Sequence, residues 1–90
     1  MRLNGVFNLR ELGDESMLIG EVTDHKKGLR RVVRINSSAA FLWRSVSGRE
    51  FEVSDLADLL SREYGLDPET ALSDAAATAS EWRSAGLLAG

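Results

Sequence analysis

The sequence contains no cysteine, a single histidine and a single proline. Without cysteine there is no disulfide, no thiolate metal site and no cysteine nucleophile. One histidine, His25, excludes a multi-histidine metal centre and leaves little for acid–base catalysis. No apolar run approaches the roughly 20 residues of a membrane span, and the opening Met-Arg-Leu-Asn-Gly-Val-Phe lacks the apolar stretch of a signal peptide. The eight glycines are scattered singly, so no phosphate-cradling loop is formed. At 90 residues and 43% hydrophobic composition, one domain with a lean core is expected over 1–90. The expectation is a cytoplasmic domain that is not an enzyme and carries neither cofactor nor metal.

What is present is unevenly charged. Net charge is −3, but residues 1–36 carry seven Lys/Arg against five Asp/Glu, and residues 37–90 carry four against nine. Lys26, Lys27, Arg30, Arg31 and Arg34 fall within nine positions with no acid among them. Such a strip serves as a solvated strand face that discourages aggregation. It also suits an acidic peptide better than a nucleic acid, because the rest of the chain is acidic.

The first third has the period of strands. Phe7 and Leu9 alternate with Asn8 and Arg10, predicting a strand over about 6–12. A second is expected over 16–22, with Gly20 a candidate bulge. After the polar turn containing His25, a third is expected over 29–35. Leu29, Val33 and Ile35 share one face of it, and Arg30, Val32 and Arg34 the other. Short connections make an antiparallel meander the simplest topology.

From Asn36 the period becomes helical. Asn36, Ser37 and Ser38 offer capping oxygens for a helix over 37–47. Ser54-Asp55 is the expected start of a second, over 54–64, with Leu56, Leu59, Leu60 and Tyr64 inward. Asp67-Pro68-Glu69 opens a third over 68–85, with proline at its first position. Each helix ends beside a glycine suited to a left-handed cap, and Leu87-Leu88 is expected to fold back onto the core. The predicted fold class is α+β, a three-stranded antiparallel sheet followed by three helices.

No residue set suggests a reaction. His25 has no companion group, and the helical acids match helix dipoles and polar faces. Trp43 and Trp82 carry more information. Trp43 suits a core anchor where the first helix meets the sheet. Trp82 shares its helix with Ala71, Ala75, Ala76, Ala77, Thr78 and Ala79. Alanine is a strong helix former that permits close packing, yet a small-residue face beside one aromatic also describes the floor and wall of a groove.

At Ile35-Asn36-Ser37-Ser38-Ala39-Ala40-Phe41-Leu42-Trp43 the chain resembles the PqqD family, the stand-alone recognition element for ribosomally made, post-translationally modified peptides. Ser47-Gly48, Phe51-Glu52-Val53-Ser54-Asp55-Leu56, Tyr64-Gly65-Leu66 and the closing Gly86-Leu87-Leu88 are similar to the family pattern in order and spacing. Ser38-Ala39 stands where the family commonly has Thr-Gly. Thr78-Ala79 stands where bulkier residues are usual, and Ala75 where valine is common.

The resemblance implies a winged-helix-like fold. It also implies non-catalytic binding of the leader segment of a precursor peptide, taken as an extra strand in the cleft between the third strand and third helix. The leader would then be presented to a radical SAM or other peptide-modifying enzyme. Carried over residue by residue, the implied peptide-binding set is Arg30, Arg31, Val32, Val33, Arg34 and Ile35 on the strand. On the helix it is Leu72, Ala75, Ala76, Ala79, Trp82 and Arg83, with Ala71, Ala75, Thr78 and Trp82 an equally good stripe. No nucleic acid or membrane partner is expected, and the protein is expected as a monomer or homodimer. Two rival readings are a winged-helix DNA-binding regulator and a domain that dimerises through its strand edge. The third helix argues against the first, with Glu69, Asp74 and Glu81 against Arg83 alone.

Overall fold

The computed structural model describes residues 1–22 and 29–89; the expected turn with His25, Lys26 and Lys27 lies outside the described residues. Three strands, β1 (Phe7–Leu12), β2 (Glu15–Val22) and β3 (Leu29–Ile35), precede three helices, α1 (Ser37–Val46), α2 (Val53–Tyr64) and α3 (Pro68–Ser84). Both strand pairs are antiparallel and the order is β1-β2-β3. The meander leaves β3 as an edge strand, with no further strand on its outer side among the described residues.

Register follows from burial. Leu12 pairs with Glu15 across the two-residue Gly13-Asp14 turn, where Gly13 supplies a φ of 61°. Phe7 then falls opposite Gly20, and Gly20 opposite Arg31. Gly20 does not mark a bulge; pairing runs through it without interruption. The Phe7 ring instead occupies the space above it, and a Cβ on Gly20 would lie 2.6 Å from the ring.

The helices begin and end where local chemistry dictates. The Asn36 side-chain oxygen accepts from the Ala39 N–H at 2.8 Å and from the Ser38 hydroxyl at 2.9 Å, so one asparagine turns the chain from β3 into α1. α2 starts one residue earlier than the serine suggested. Asp55 accepts from the Glu52 N–H at 2.7 Å, making Glu52 the cap and leaving Ser54 exposed within the first turn. At the end of α3, the Leu87 N–H bonds the Trp82 carbonyl at 2.8 Å and the Gly86 N–H bonds that of Arg83 at 3.1 Å. This Schellman closure needs the left-handed Gly86, φ 75°. It drives Leu87 into the core, and Leu88 bridges antiparallel to Leu3.

The core is built around aromatic edges. Trp82 meets Trp43 edge-to-face at 5.4 Å and Phe51 at 6.4 Å, contacts of ~0.5–1.5 kcal/mol each beyond area burial. Leu18, Val46, Leu56 and Leu87 close around them. α1 lies under β1 and β2, while α3 packs chiefly on α2. No helix among the described residues is long and apolar enough to cross a membrane.

Candidate functional site

The site is the space between the free edge of β3 and the C-terminal half of α3. β3 leaves the sheet toward Asn36, and α3 runs past it committed to α2, so the two elements do not close on each other. A cavity of about 200 Å³ remains between them, lined by Val33, Arg34, Ile35, Asn36, Ala39, Glu81, Trp82, Ala85 and Leu87. Its floor is apolar. Val33 and Ile35 are half-buried and pack against the core, and Trp82 and Leu87 are buried core members. Its rim is charged, with Arg34 on the strand side and Glu81 on the helix side.

β3 presents two unlike faces. Arg30, Val32 and Arg34 are exposed, Val32 at 57%. Val33 and Ile35 alternate with them toward the helices. Arg31 belongs to this second face and does not point outward with its two neighbouring arginines. Its guanidinium carbon lies 5.9 Å from the centre of the Phe7 ring, and one terminal nitrogen lies 3.2 Å from where a Cβ on Gly86 would stand. A cation over an aromatic face contributes ~0.5–1 kcal/mol at an exposed site. Arg31 thus stacks on the sheet and extends to the turn that closes α3.

The helix residues separate into four groups. Trp82 lines the cavity. Ala75 and Ala79 are buried, at 0% and 6% exposure, on the α3 stripe committed to α2. The alanine stripe is therefore filled from inside, because small side chains let the two helices approach closely. Leu72 is 52% exposed and lines a separate groove of about 230 Å³ between α2 and α3, beside Ala57, Ser61 and Pro68. Ala76 and Arg83 are exposed, outside the cavity lining. The cavity residues that sequence reasoning passed over are Asn36, Ala39, Glu81, Ala85 and Leu87. Glu81 immediately precedes Trp82 and Ala85 follows it by three residues, a placement legible only once Trp82's orientation is known.

Chemically the cleft offers a strand edge, an apolar floor and a charged rim. Among the described residues no cluster of histidine and carboxylates is placed to hold a metal, and no buried side-chain polar atom is left without a partner.

The comparisons with known proteins agree with this architecture. The family model of coenzyme PQQ synthesis protein D (PqqD) matches residues 15–88. No curated protein sequence matches. A solved structure, TbiB1 in complex with the TbiA(beta) leader peptide, superposes with a TM-score of 0.70 at 17% identity. That match covers 100% of this chain and 96% of the other, which shows a shared fold.

Proposed function

This chain belongs to the PqqD family, and from that premise we propose that it binds the leader segment of a ribosomally synthesised precursor peptide by strand addition to β3. The carrying observation is the outer edge of β3 lying directly beside a cleft whose floor is Val33, Ile35, Trp82 and Leu87 and whose rim is polar. Edge N–H and C=O groups supply affinity in such complexes, and pockets for alternate side chains supply selectivity. The shared fold with TbiB1, solved with a leader peptide, supports the reading. The whole chain acts as one peptide-binding domain, working in the cytoplasm without catalysis and presenting the bound leader to a peptide-modifying enzyme of the radical SAM class.

Charge supports a peptide over a duplex. α3 exposes Glu69, Asp74 and Glu81 against Arg83, and DNA affinity rests on neutralising phosphates. Arg30 and Arg34 on the outer face of β3 suit an acidic leader. The test is an amide-shift titration of the labelled protein with the synthetic leader segment of any short precursor peptide encoded near its gene. Shifts are expected at 30–35 and at Glu81, Trp82 and Ala85. If those residues stay still at saturating peptide, strand addition is wrong.

A further inference from the structure

A strand added beside β3 must continue its alternation, because side chains on neighbouring strands share faces in register. Leader residues level with Arg30, Val32 and Arg34 lie on the outer face of the sheet. Residues level with Val33 and Ile35 enter the cleft, where Trp82, Ala39, Ala85 and Leu87 surround them. The two rim charges therefore meet different phases of the leader. Arg34 is on the outer phase, and Glu81 guards the inner one. Among the described residues neither has an ion-pair partner, and they do not pair with each other.

We infer that Arg34 and Glu81 form a phase filter, which selects a leader carrying an aliphatic anchor immediately next to an acidic residue. The acid faces Arg34, and the anchor enters the cleft under Glu81. An acid in the inner phase meets Glu81 and is desolvated against Trp82, so the wrong phase is opposed as well as unrewarded. The slot also limits the anchor. A cavity near 150 Å³ holds a benzene molecule, so about 200 Å³ takes one side chain of leucine, isoleucine or phenylalanine size. Glu81 is then a specificity residue, although it adds no backbone pairing.

This inference rests on strand addition at β3, and the test separates the two. In the synthetic leader, each adjacent aliphatic–acidic pair is exchanged in position, one pair at a time. Composition and charge stay fixed while phase changes. Calorimetric Kd values and amide shifts are read for each peptide. One exchange is expected to weaken binding by roughly tenfold or more. Glu81→Lys should restore much of that loss for the exchanged peptide and so narrow the gap between parent and exchanged peptides. Equal affinity of parent and all exchanged peptides, with shifts still on β3, overturns the filter and leaves strand addition standing. So does a bound leader with no aliphatic residue beside an acid. A parent that leaves β3 unshifted overturns both. Failure of Glu81→Lys to discriminate removes Glu81 from the filter, and its fold is checked by the unchanged Trp82 indole resonance.

Discussion

Phe7 stands on Gly20: the ring of one β1 residue fills the position that a side chain on its cross-strand partner would need. The Arg31 guanidinium, next in the same row, sits over that ring. One glycine thus allows a buried aromatic and a cation to stack across the sheet, and Arg31 to reach Gly86.

Gly20→Ala is expected to destabilise the protein. The new methyl group would overlap the ring at 2.6 Å, and overpacking of this kind costs ~1–3 kcal/mol. Urea unfolding should show a lower midpoint with unchanged slope. An unchanged midpoint would mean that Phe7 moves aside freely.

Trp82 serves both the core and the cleft, so Trp82→Ala should be severe. Loss of a buried tryptophan costs ~3–5 kcal/mol, against a total of ~5–15 kcal/mol for a whole domain. Thermal melting is expected to fall by more than ten degrees or to lose cooperativity, at ~4–8 °C per kcal/mol for this size. A melt within a few degrees of the parent would contradict the edge-to-face arrangement with Trp43 and Phe51.

Backbone pairing can be tested from the peptide side. N-methylation at every second residue of the leader removes N–H donors without changing side chains. In one phase the methyl groups face β3 and affinity should drop steeply, each lost bond counting ~0.5–1.5 kcal/mol. In the other phase they face solvent and affinity should hold. Equal effects in both phases would rule out a strand-like bound state.

Leu72 and the β3 arginines should behave oppositely. Leu72→Ser lies in the α2–α3 groove and should leave leader affinity within twofold. An Arg30→Glu, Arg34→Glu double variant should weaken an acidic leader and flatten its salt dependence, since exposed charges act through screened attraction. A strong Leu72 effect would move the binding surface to the other side of α3.

Light scattering with and without leader addresses the edge itself. An exposed strand edge pairs with whatever strand is available. If the protein self-associates through β3, added leader should convert the dimer to monomer. A dimer indifferent to saturating leader would place its interface elsewhere.

Much of the fold was legible because it rests on local chemistry. The alternation at Phe7 and Leu9, the asparagine cap at Asn36 and the proline at the start of α3 each act within a few residues. Where the expectation differed, a neighbour was responsible. Asp55 reached back to Glu52 and moved the α2 start, and Phe7 rather than a bulge explained Gly20.

The candidate site was legible in part. Val33, Arg34, Ile35 and Trp82, expected on the resemblance, do line one cavity. Leu72 and the alanines could not be sorted from sequence, since two stripes on α3 are equally apolar and only the docking of α2 selects one. Charge along the chain was equally ambiguous: Arg30, Arg31 and Arg34 read as one basic strip.

The sequence by itself determined a cysteine-free chain of three strands and three helices, with five of its eleven basic residues within 26–34, because periodicity, caps and composition are short-range properties. Tertiary structure decided which surface is open. α3 buries Ala71, Ala75 and Ala79 as it packs on α2, Arg31 turns in to Phe7, and the remaining gap beside β3 is lined by both Arg34 and Glu81. Those outcomes depend on which elements pack together, and no local pattern encodes that choice.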